Sequence, residues 1–296
     1  MEKSIKIIAL YYLVCDYYNT DLRHSVQRFS NNGFQGHITD EELITIYLFC
    51  VIEEQKTTIK AMRQHIVDYW LSWFPKIPAY QTFNARLNRL EEVFPLFINL
   101  LISEKAFDED LLPILLGDSF PIMTCSGKRK GKVALEIADK SFCASKDKWY
   151  YGVKLHMLAQ KRPSTLPYPQ YLGITSASSS DLKPIEPLLE NLNGFCVALD
   201  KAYCDEKLAK VMEINETIMQ TPIKNVKGEC EAIRQMEKAY RKCVNTAVAK
   251  VRQPIESFFN WINQKTGLQD ASKVRSLKGL SLHIFGKLTA CLILMM

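Results

Sequence analysis

The chain has 296 residues, of which 47% are hydrophobic and 24% are charged, and its formal net charge is +6 at pH 7. This composition is typical of a globular protein with enough apolar material for one large domain or two smaller ones, and it excludes a chain that is mainly disordered. The nine cysteines are scattered, without the paired spacing of a zinc finger, which favours reduced thiols and a cytoplasmic location.

Neither end of the sequence predicts a membrane segment. The first residues, "MEKSIKIIALYYLVCDYYN", place lysines before an apolar run but lack the small-residue cleavage site of a signal peptide. Their tyrosine-rich continuation is typical of a packed helix. The last residues, "LTACLILMM", are too few to span a bilayer. We therefore expect a protein without a membrane partner.

Charge is distributed unevenly along the chain. Residues 1–110 contain 11 basic and 15 acidic side chains, whereas residues 111–296 contain 27 basic and 17 acidic ones. A basic region of this kind indicates a polyanionic partner, although many basic globular proteins bind none. The sequence texture changes at the same point, so we predict a helical N-terminal domain over 1–110 and a second domain over 111–296.

Helices dominate the predicted N-terminal domain. Apolar residues at three- and four-residue spacing predict a helix over 40–66, and Thr39 with Glu42 has the spacing of a capping box. A second amphipathic helix is predicted over 81–101. Its first half carries polar and basic side chains, namely Gln81, Thr82, Asn84, Arg86 and Arg89. Such a helix is compatible with reading a DNA major groove, and equally with a plain helical bundle that has a solvated polar face.

Short apolar runs separated by turn residues follow residue 110 and predict a mixed α/β domain. The expected strands cover 111–118, 132–138, 149–159, 170–177, 194–200 and 217–224. The expected helices cover 181–192, with Asp181 as N-cap, then 204–214, and a long one over 234–264.

Three carboxylates stand at notable places in this domain. Asp118 and Asp200 each follow an apolar run that predicts a buried strand, and Glu256 lies in a predicted helix. Ligand sites in α/β sheets gather beyond strand ends, and neighbouring carboxylates repel one another unless cations lie between them. Three such groups could hold two Mg²⁺ ions, or Mn²⁺, for phosphodiester chemistry.

Each carboxylate also has a structural alternative. Asp118 could belong to a Gly-Asp-Ser turn, and Asp200 could cap the following helix. Glu256 comes two residues after Pro254, a favoured first helical position, so it could sit in a first helical turn and interact with the helix dipole.

Basic and aromatic side chains lie close to these acids in the sequence. The segment "SGKRKGK", residues 126–132, falls in the expected hairpin after the first strand. Lysines, His156 and Trp149 lie on or beside the third predicted strand, a combination that suits DNA phosphates and an unpaired base stacked on a ring. The alternative is a solvated basic hairpin with an aromatic core strand. Arg252, one helical turn before Glu256, could orient that carboxylate or hold a phosphate.

Seven segments in the same order resemble the DDE transposases of bacterial insertion sequences, whose catalytic domain is ribonuclease-H-like. They are "DSFPI", "GKRKGK", "SKDKWYYGVKLHM", "SSSDLKPIEPLL", "ALDKAYCD", "TPIKN" and "RQPIESFFNWI". The likeness runs from about residue 111 to 277, with a weaker match in "PAYQTFNARLNRL". Some relatives have a Tyr before the helix Arg and a Lys after the Glu, at positions occupied here by Ala249 and Asn263. This chain therefore resembles a different subfamily.

The resemblance implies a ribonuclease-H-like mixed sheet with flanking helices, preceded by an all-α domain for DNA-end recognition, dimerisation or both. It implies that Asp118, Asp200 and Glu256 are the catalytic, metal-binding residues, with two Mg²⁺ ions or Mn²⁺. The predicted DNA-binding residues are Lys128, Arg129, Lys130, Trp149, Lys154, His156, Lys201, Arg252 and Lys265.

The implied function is cutting and joining double-stranded DNA, both the element ends and the target, by hydrolysis and transesterification of phosphodiesters. Paired ends imply a homodimer or a higher oligomer. Two further readings stay open, namely a metal-dependent nuclease that does not join DNA and a non-catalytic DNA-binding protein derived from a transposase. A structural α/β protein whose acids are caps is a third.

Overall fold

A computed structural model of the chain describes residues 2–26, 38–105, 113–224, 228 and 230–296. These residues form two compact units. The first is helical and contains the described residues of 1–105, 131–136 and 262–296, and the second contains those of 106–130 and 137–261. The C-terminal segment from residue 262, which we predicted to be part of the second domain, thus belongs with the N-terminal helices.

The helical unit confirms the predicted all-α N-terminal region. Its helices are α1 (Lys3–Thr20), α2 (Asp40–Ile52), α3 (Ile59–Tyr69), α4 (Tyr80–Arg89), α5 (Val93–Glu104) and, at the C-terminus, α10 (Leu277–Ile293). The capping box is present, because the Thr39 hydroxyl accepts from the Glu42 amide and the Glu42 carboxylate accepts from the Thr39 amide. Each of the two long helices that we predicted here is instead a pair of shorter helices.

Arg86 belongs to the interior of this helical unit. Its guanidinium donates to Asp40 at 2.7 Å and to the Ile38 carbonyl, and its side chain is 20% exposed. An arginine held in this way is not free to reach a base edge. These contacts agree with the helical-bundle reading of the segment.

A lysine and a histidine are buried together on α10. The Lys287 ammonium donates to the Gly267 carbonyl at 3.2 Å, and His283 Nε2 lies 2.9 Å from the Leu268 carbonyl. Burial lowers the pKa of Lys287 to about 7, although nearby Asp270 raises it. Burial also lowers the pKa of His283, to about 3. Both groups therefore lose charge on folding near neutral pH.

Stability should consequently rise with pH above neutrality. Between about pH 7 and 10.5 the unfolded chain keeps the Lys287 proton and the folded chain does not, so the free energy of unfolding increases by about 1 kcal/mol per pH unit. Lys287→Met should remove this slope and stabilise the protein at pH 7. Urea unfolding at pH 7, 8 and 9 measures it, with the exposed Lys278→Met as control. An unchanged slope in Lys287→Met would contradict the assignment.

The second unit contains a six-stranded mixed sheet. Its strands are β1 (Ile114–Ser126), β2 (Asp139–Cys143), β3 (Lys148–Gln160), β4 (Tyr168–Ser176), β5 (Cys196–Ala198) and β6 (Ile218–Gln220). The order is β2-β3-β1-β5-β6, with β4 also paired to β3. The pairs of β3 with β1, β2 and β4 are antiparallel, and the β1–β5 and β5–β6 pairs are parallel. This confirms the predicted mixed sheet.

Helices flank this sheet. They are α6 (Glu186–Leu189), α7 (Glu206–Ile214), α8 (Glu231–Met236) and α9 (Lys238–Thr266). Leu189 of α6 and Leu208 of α7 join a core cluster with Leu115 and Leu158. Phe259 of α9 stacks on Phe120, with ring centroids 5.0 Å apart. Because strand residues alternate between faces, α9 and the pair α6 and α7 cover opposite faces of the sheet.

Several predicted elements differ from the structure. Residues 132–138 form turns, not a strand, and Leu135 is exposed there; the strand in this region is β2. Asp181 does not begin a helix, because only the single turn α6 forms, and Asp181 pairs with Lys154 at 3.0 Å instead. The predicted helix over 234–264 is divided into α8 and α9. None of the helices in the described part of the chain is both long and apolar enough to cross a membrane.

Gly152 allows β1 and β3 to pair closely. A Cβ at this position would lie 1.9 Å from the Ile122 carbonyl oxygen, which is backbone and cannot move aside. Gly152→Ala should therefore destabilise the protein by about 3 kcal/mol. Gly173→Ala on β4 is the matched control, because its Cβ would meet the tip of the Tyr171 side chain, which can move. Equal unfolding midpoints of the two variants in urea would contradict this explanation.

Candidate active site

Asp118 lies within β1, one of the two longest strands of the sheet. β1 continues through it to Ser126, and Asp118 is opposite Met157 of β3. The prediction that Asp118 ends a strand is therefore wrong, because pairing with β3 extends the strand beyond the apolar run. The Ser119 amide donates to its Oδ1 at 2.8 Å, and the side chain is 21% exposed.

Asp200 is brought beside Asp118 by parallel pairing. Leu116 pairs with Ala198 at the end of β5, so the residues that follow on both strands lie at the same edge. Asp200 precedes a short 3₁₀ turn over Lys201–Tyr203, and its side chain makes no capping bond there within the described structure. The cap of α7 is Asp205, which accepts from two backbone amides.

Arg252 connects the two aspartates. Its Nη2 lies 3.1 Å from Asp118 Oδ2, and its Nη1 lies 3.2 Å from Asp200 Oδ1. The Arg252 side chain is 8% exposed, and its Nε is buried without a hydrogen-bond partner among the described residues. One guanidinium thus holds both carboxylates at the sheet surface.

Glu256 follows Arg252 by one helical turn. It is exposed, and its charge contributes to raising the pKa of Asp118. Pro254 lies in the interior of α9, far from the start of that helix at Lys238. The alternative in which Glu256 occupies a first helical turn is therefore wrong.

The local environment makes Asp118 hard to ionise. Burial raises the pKa of Asp118 to about 6, and the neighbouring charges of Asp200 and Glu256 raise it as well. The Arg252 guanidinium and the Ser119 amide oppose this shift. A carboxyl group with a raised pKa is typical of a cation-binding site, because a bound cation favours the ionised form.

Carboxylate oxygens are suitable ligands for a divalent cation, but the distances between these carboxylates are too large for one ion to bind all of them. Hard oxygen donors are what Mg²⁺ and Mn²⁺ prefer, and two of them already converge on one cationic group. In the described ranges, however, no three His, Cys, Asp or Glu side chains are close enough to hold a metal ion. Arg252 lies between the aspartates, and Glu256 is outside the ion pair.

The geometry removes the structural alternatives for all three acids. Asp118 is within a strand and not in a turn, Asp200 caps nothing in the described structure, and Glu256 is in the interior of a helix. Two aspartates share one arginine and the pKa of Asp118 is raised, so this part of the sheet is a candidate site for chemistry.

Comparison with known proteins decides the family. The family model described as "Transposase DDE domain" matches residues 110–294, well over half of the chain. The chain belongs to the DDE transposase family. The resemblance seen in the sequence motifs is thereby confirmed at the level of the family.

Other comparisons are more distant. A solved structure similar to this DDE-family chain is the "Mos1 transposase paired-end complex with left transposon end", with 11% sequence identity. The alignment covers 82% of this chain and 84% of that one, at a TM-score of 0.23. No curated protein sequence matches the chain.

Most of the DNA-binding residues predicted for this DDE domain lie on its surface. Lys128, Arg129 and Lys130 are exposed in the turn after β1, and Trp149 is 55% exposed on β3. Lys201 is exposed next to Asp200.

Other predicted contacts are placed differently. Lys265 is exposed in the last turn of α9, in the part of that helix that belongs to the helical unit. Arg252 is buried in its ion pairs with the two aspartates, so in this structure its guanidinium orients carboxylates and is not presented to DNA.

Two further predicted contacts in this DDE domain make hydrogen bonds within the protein. His156 is fully buried, with Nε2 2.7 Å from the Thr175 hydroxyl, so it cannot touch DNA in this structure. Lys154 donates to Asp181 at 3.0 Å and to the Ser179 carbonyl at 2.9 Å. Both lie on the face of the sheet opposite Asp118, because they alternate with Met157 along β3. Their role in DNA binding stays a prediction.

Sequence reasoning missed two side chains of this DDE domain beside Trp149. Phe142 pairs directly with Trp149 across β2 and β3, and Lys140 Nζ lies 5.2 Å from the Trp149 ring centroid. The signal was present in "DKSFCASKDKWYY", where alternating side chains before and after a short turn indicate a hairpin.

Proposed function

We propose that this chain cuts and joins double-stranded DNA at the ends of a bacterial insertion sequence. The observation that carries the proposal is the pair of aspartates bridged by Arg252, with Glu256 one turn along the same helix. Membership of the DDE transposase family supports it. Asp118 is fixed by the central strand, and Asp200 and Glu256 approach it from β5 and α9.

We propose that Asp118, Asp200 and Glu256 hold two Mg²⁺ ions, for which Mn²⁺ can substitute. Bound divalent ions would supply electrostatic stabilisation of charge on the attacking and leaving oxygens of a phosphodiester. The protein's own contribution is to fix the Asp118 carboxylate in the sheet. Bound cations would favour its ionised form, and Arg252 would then have to leave its place between the aspartates. The freed guanidinium is then available for a phosphate.

The remaining parts of the proposal concern partners and location. The exposed lysines after β1 and beside Asp200 would bind DNA phosphates. The helical unit would recognise the element ends or carry a dimer contact, for which exposed Ile5, Ile8 and Tyr12 of α1 are available. We propose a dimer or higher oligomer that acts in the cytoplasm, in keeping with nine free cysteines.

Cleavage and joining of labelled DNA that carries the element ends, with Mg²⁺, test the function. The wild type should yield both nicked and joined products. Asp200→Asn and Glu256→Gln should yield neither while still binding DNA, and Glu213→Gln on α7 is a matched control that should behave like the wild type.

Other outcomes favour the alternatives. Nicking without joined products would favour a nuclease. DNA binding without cleavage by the wild type would favour a non-catalytic DNA-binding protein. Full cleavage by both carboxylate variants would overturn the assignment of the site.

A further inference from the structure

An aromatic pair is exposed on the β2–β3 hairpin. Phe142 of β2 and Trp149 of β3 are directly opposite each other, with ring centroids 5.4 Å apart and an interplanar angle of 58°. Phe142 is 45% exposed and Trp149 is 55% exposed, whereas the next residue, Tyr150, is buried in a core cluster. Two adjacent large apolar side chains on a surface indicate an interaction site.

Basic side chains surround this aromatic pair. They are Lys128, Arg129, Lys130, Lys140, Lys146 and Lys148, and all six are exposed. Two acids lie in the same hairpin: Asp139 is engaged by the amide and hydroxyl of Ser178, and Asp147 is exposed between Lys146 and Lys148, so the basic residues outnumber the acids. The surface therefore combines strong positive charge with apolar rings, which suits a polyanion that also has apolar parts.

Gly127 fixes the basic turn against the aromatic pair. Its amide donates to the Trp149 carbonyl at 2.8 Å, and a Cβ on Gly127 would lie 2.4 Å from the Trp149 Cβ. The chain thus leaves β1 in contact with Trp149, and Lys128 follows directly. The lysines and the rings form one surface because of this close approach.

This surface lies on the same face of the sheet as Asp118. Asp118 is opposite Met157, and Trp149 is eight residues from Met157 along β3, an even number, so both side chains leave the same face. Eight residues of extended strand span about 26 Å. DNA rises about 3.4 Å per base pair, so this distance corresponds to about eight base pairs.

The arrangement of the rings favours contacts with the groove wall of duplex DNA over stacking of an unpaired base. Lys140 Nζ lies 5.2 Å from the centroid of the Trp149 ring and Phe142 packs beside that ring, so both side chains compete with an inserted base for contact with the indole. Exposed apolar rings suit the deoxyribose and groove wall of a duplex, and ammonium groups suit its phosphates.

We propose that Phe142, Trp149 and Lys140 form a second docking surface for duplex DNA, about eight base pairs from the phosphodiester that is cut. The proposal rests on the proposed function, since it names where the same substrate is held away from the carboxylates. It adds Phe142 and Lys140 to the residues that bind DNA. It also requires a minimum length of duplex beyond the cut site for tight binding.

Duplexes of increasing length beyond the cut site test the proposal by fluorescence anisotropy. Wild-type affinity should rise about tenfold once the duplex exceeds about eight base pairs, the size expected for an aromatic contact. Trp149→Ala and Phe142→Ala should lose this rise and bind short duplexes as the wild type does. Lys140→Ala should lower the slope of log Kd against log salt by about one phosphate contact. Lys210→Ala and Ile214→Ala on α7 are the controls.

Activity separates this proposal from the function on which it rests. Trp149→Ala should bind long duplexes about tenfold more weakly than the wild type. Loss of the carboxylates should instead abolish cutting and leave this gain in affinity for long duplexes in place. If Trp149→Ala binds long duplexes as tightly as the wild type, the docking surface is refuted. The proposal would also be refuted if affinity rose only for DNA with an unpaired base about eight base pairs from the cut site, because that result indicates a base stacked on a ring face.

Discussion

Asp118→Asn is expected to abolish DNA cleavage and to make the metal-free protein more stable at neutral pH. Asparagine has the same shape and no charge, so it cannot supply an anionic ligand, and we expect cleavage to fall by about 10³-fold or more. The stability effect follows from the raised pKa. Between about pH 4 and 6 the folded chain holds a proton on Asp118 that the unfolded chain has lost, so the free energy of unfolding falls as pH rises through this range.

Above pH 6 the wild type has incurred the full cost of ionising Asp118, and Asp118→Asn has not. We expect the variant to be more stable by about 1 kcal/mol at pH 8, after allowance for the lost ion pair with Arg252. Addition of Mn²⁺ should raise the melting temperature of the wild type and leave that of the variant unchanged. A variant that melts lower than the wild type at pH 8 and still responds to Mn²⁺ would contradict the assignment.

Arg252→Gln should weaken the metal-free protein and strengthen its binding of divalent cations. The guanidinium is the counter-ion of Asp118, which is largely buried, and of Asp200, which is about half exposed. Its loss leaves the buried Asp118 carboxylate uncompensated, at a cost of about 2 kcal/mol. Because a metal ion would bind to the same two carboxylates, removing the arginine removes a competitor and a repelling charge. We expect the Kd for Mn²⁺ to fall about tenfold.

Isothermal titration with Mn²⁺ measures this affinity, and urea unfolding measures the stability. Arg241→Gln is a matched control, because Arg241 lies on the same helix and forms an ion pair with Glu237 at 2.7 Å. We expect wild-type Mn²⁺ affinity in that control. If Arg252→Gln binds Mn²⁺ more weakly than the wild type, the arginine assists the cation and does not take its place.

The long strands of the sheet could be predicted from sequence because their apolar residues continue over many positions. β3 was predicted almost to its observed ends, and β1 was predicted as far as Asp118. The part of β1 after Asp118 could not be predicted, because Asp118 and Pro121 interrupt the apolar pattern of the sequence. Antiparallel pairing with β3 overrides these local preferences. β2 was not predicted, because the segment before it, "KVALEIA", is more apolar and was predicted to be the strand instead.

The three acids of the candidate site were found from their order along the chain and from the family resemblance. Their electrostatics could not be found in this way, because the bridge from Arg252 to Asp118 joins residues 134 positions apart. Burial of His156 was equally hidden, since a histidine on an alternating strand can face either side. Sequence identifies candidate residues, and only the packing of strands and helices decides which of them is accessible.

Embedding Asp118 in β1 has a consequence for how the site can adapt. The backbone at Asp118 is part of the most extensive ladder of the sheet, so its amide should exchange with solvent deuterium only when the whole domain opens. Asp200 follows a strand of three residues, and Glu256 stands two residues after Pro254, which lacks the amide for a helix hydrogen bond, so these positions should open more locally. The proposed site would thus have one rigid carboxylate and two adjustable ones. Adjustment to successive DNA intermediates should come from Asp200 and Glu256, around a stationary Asp118.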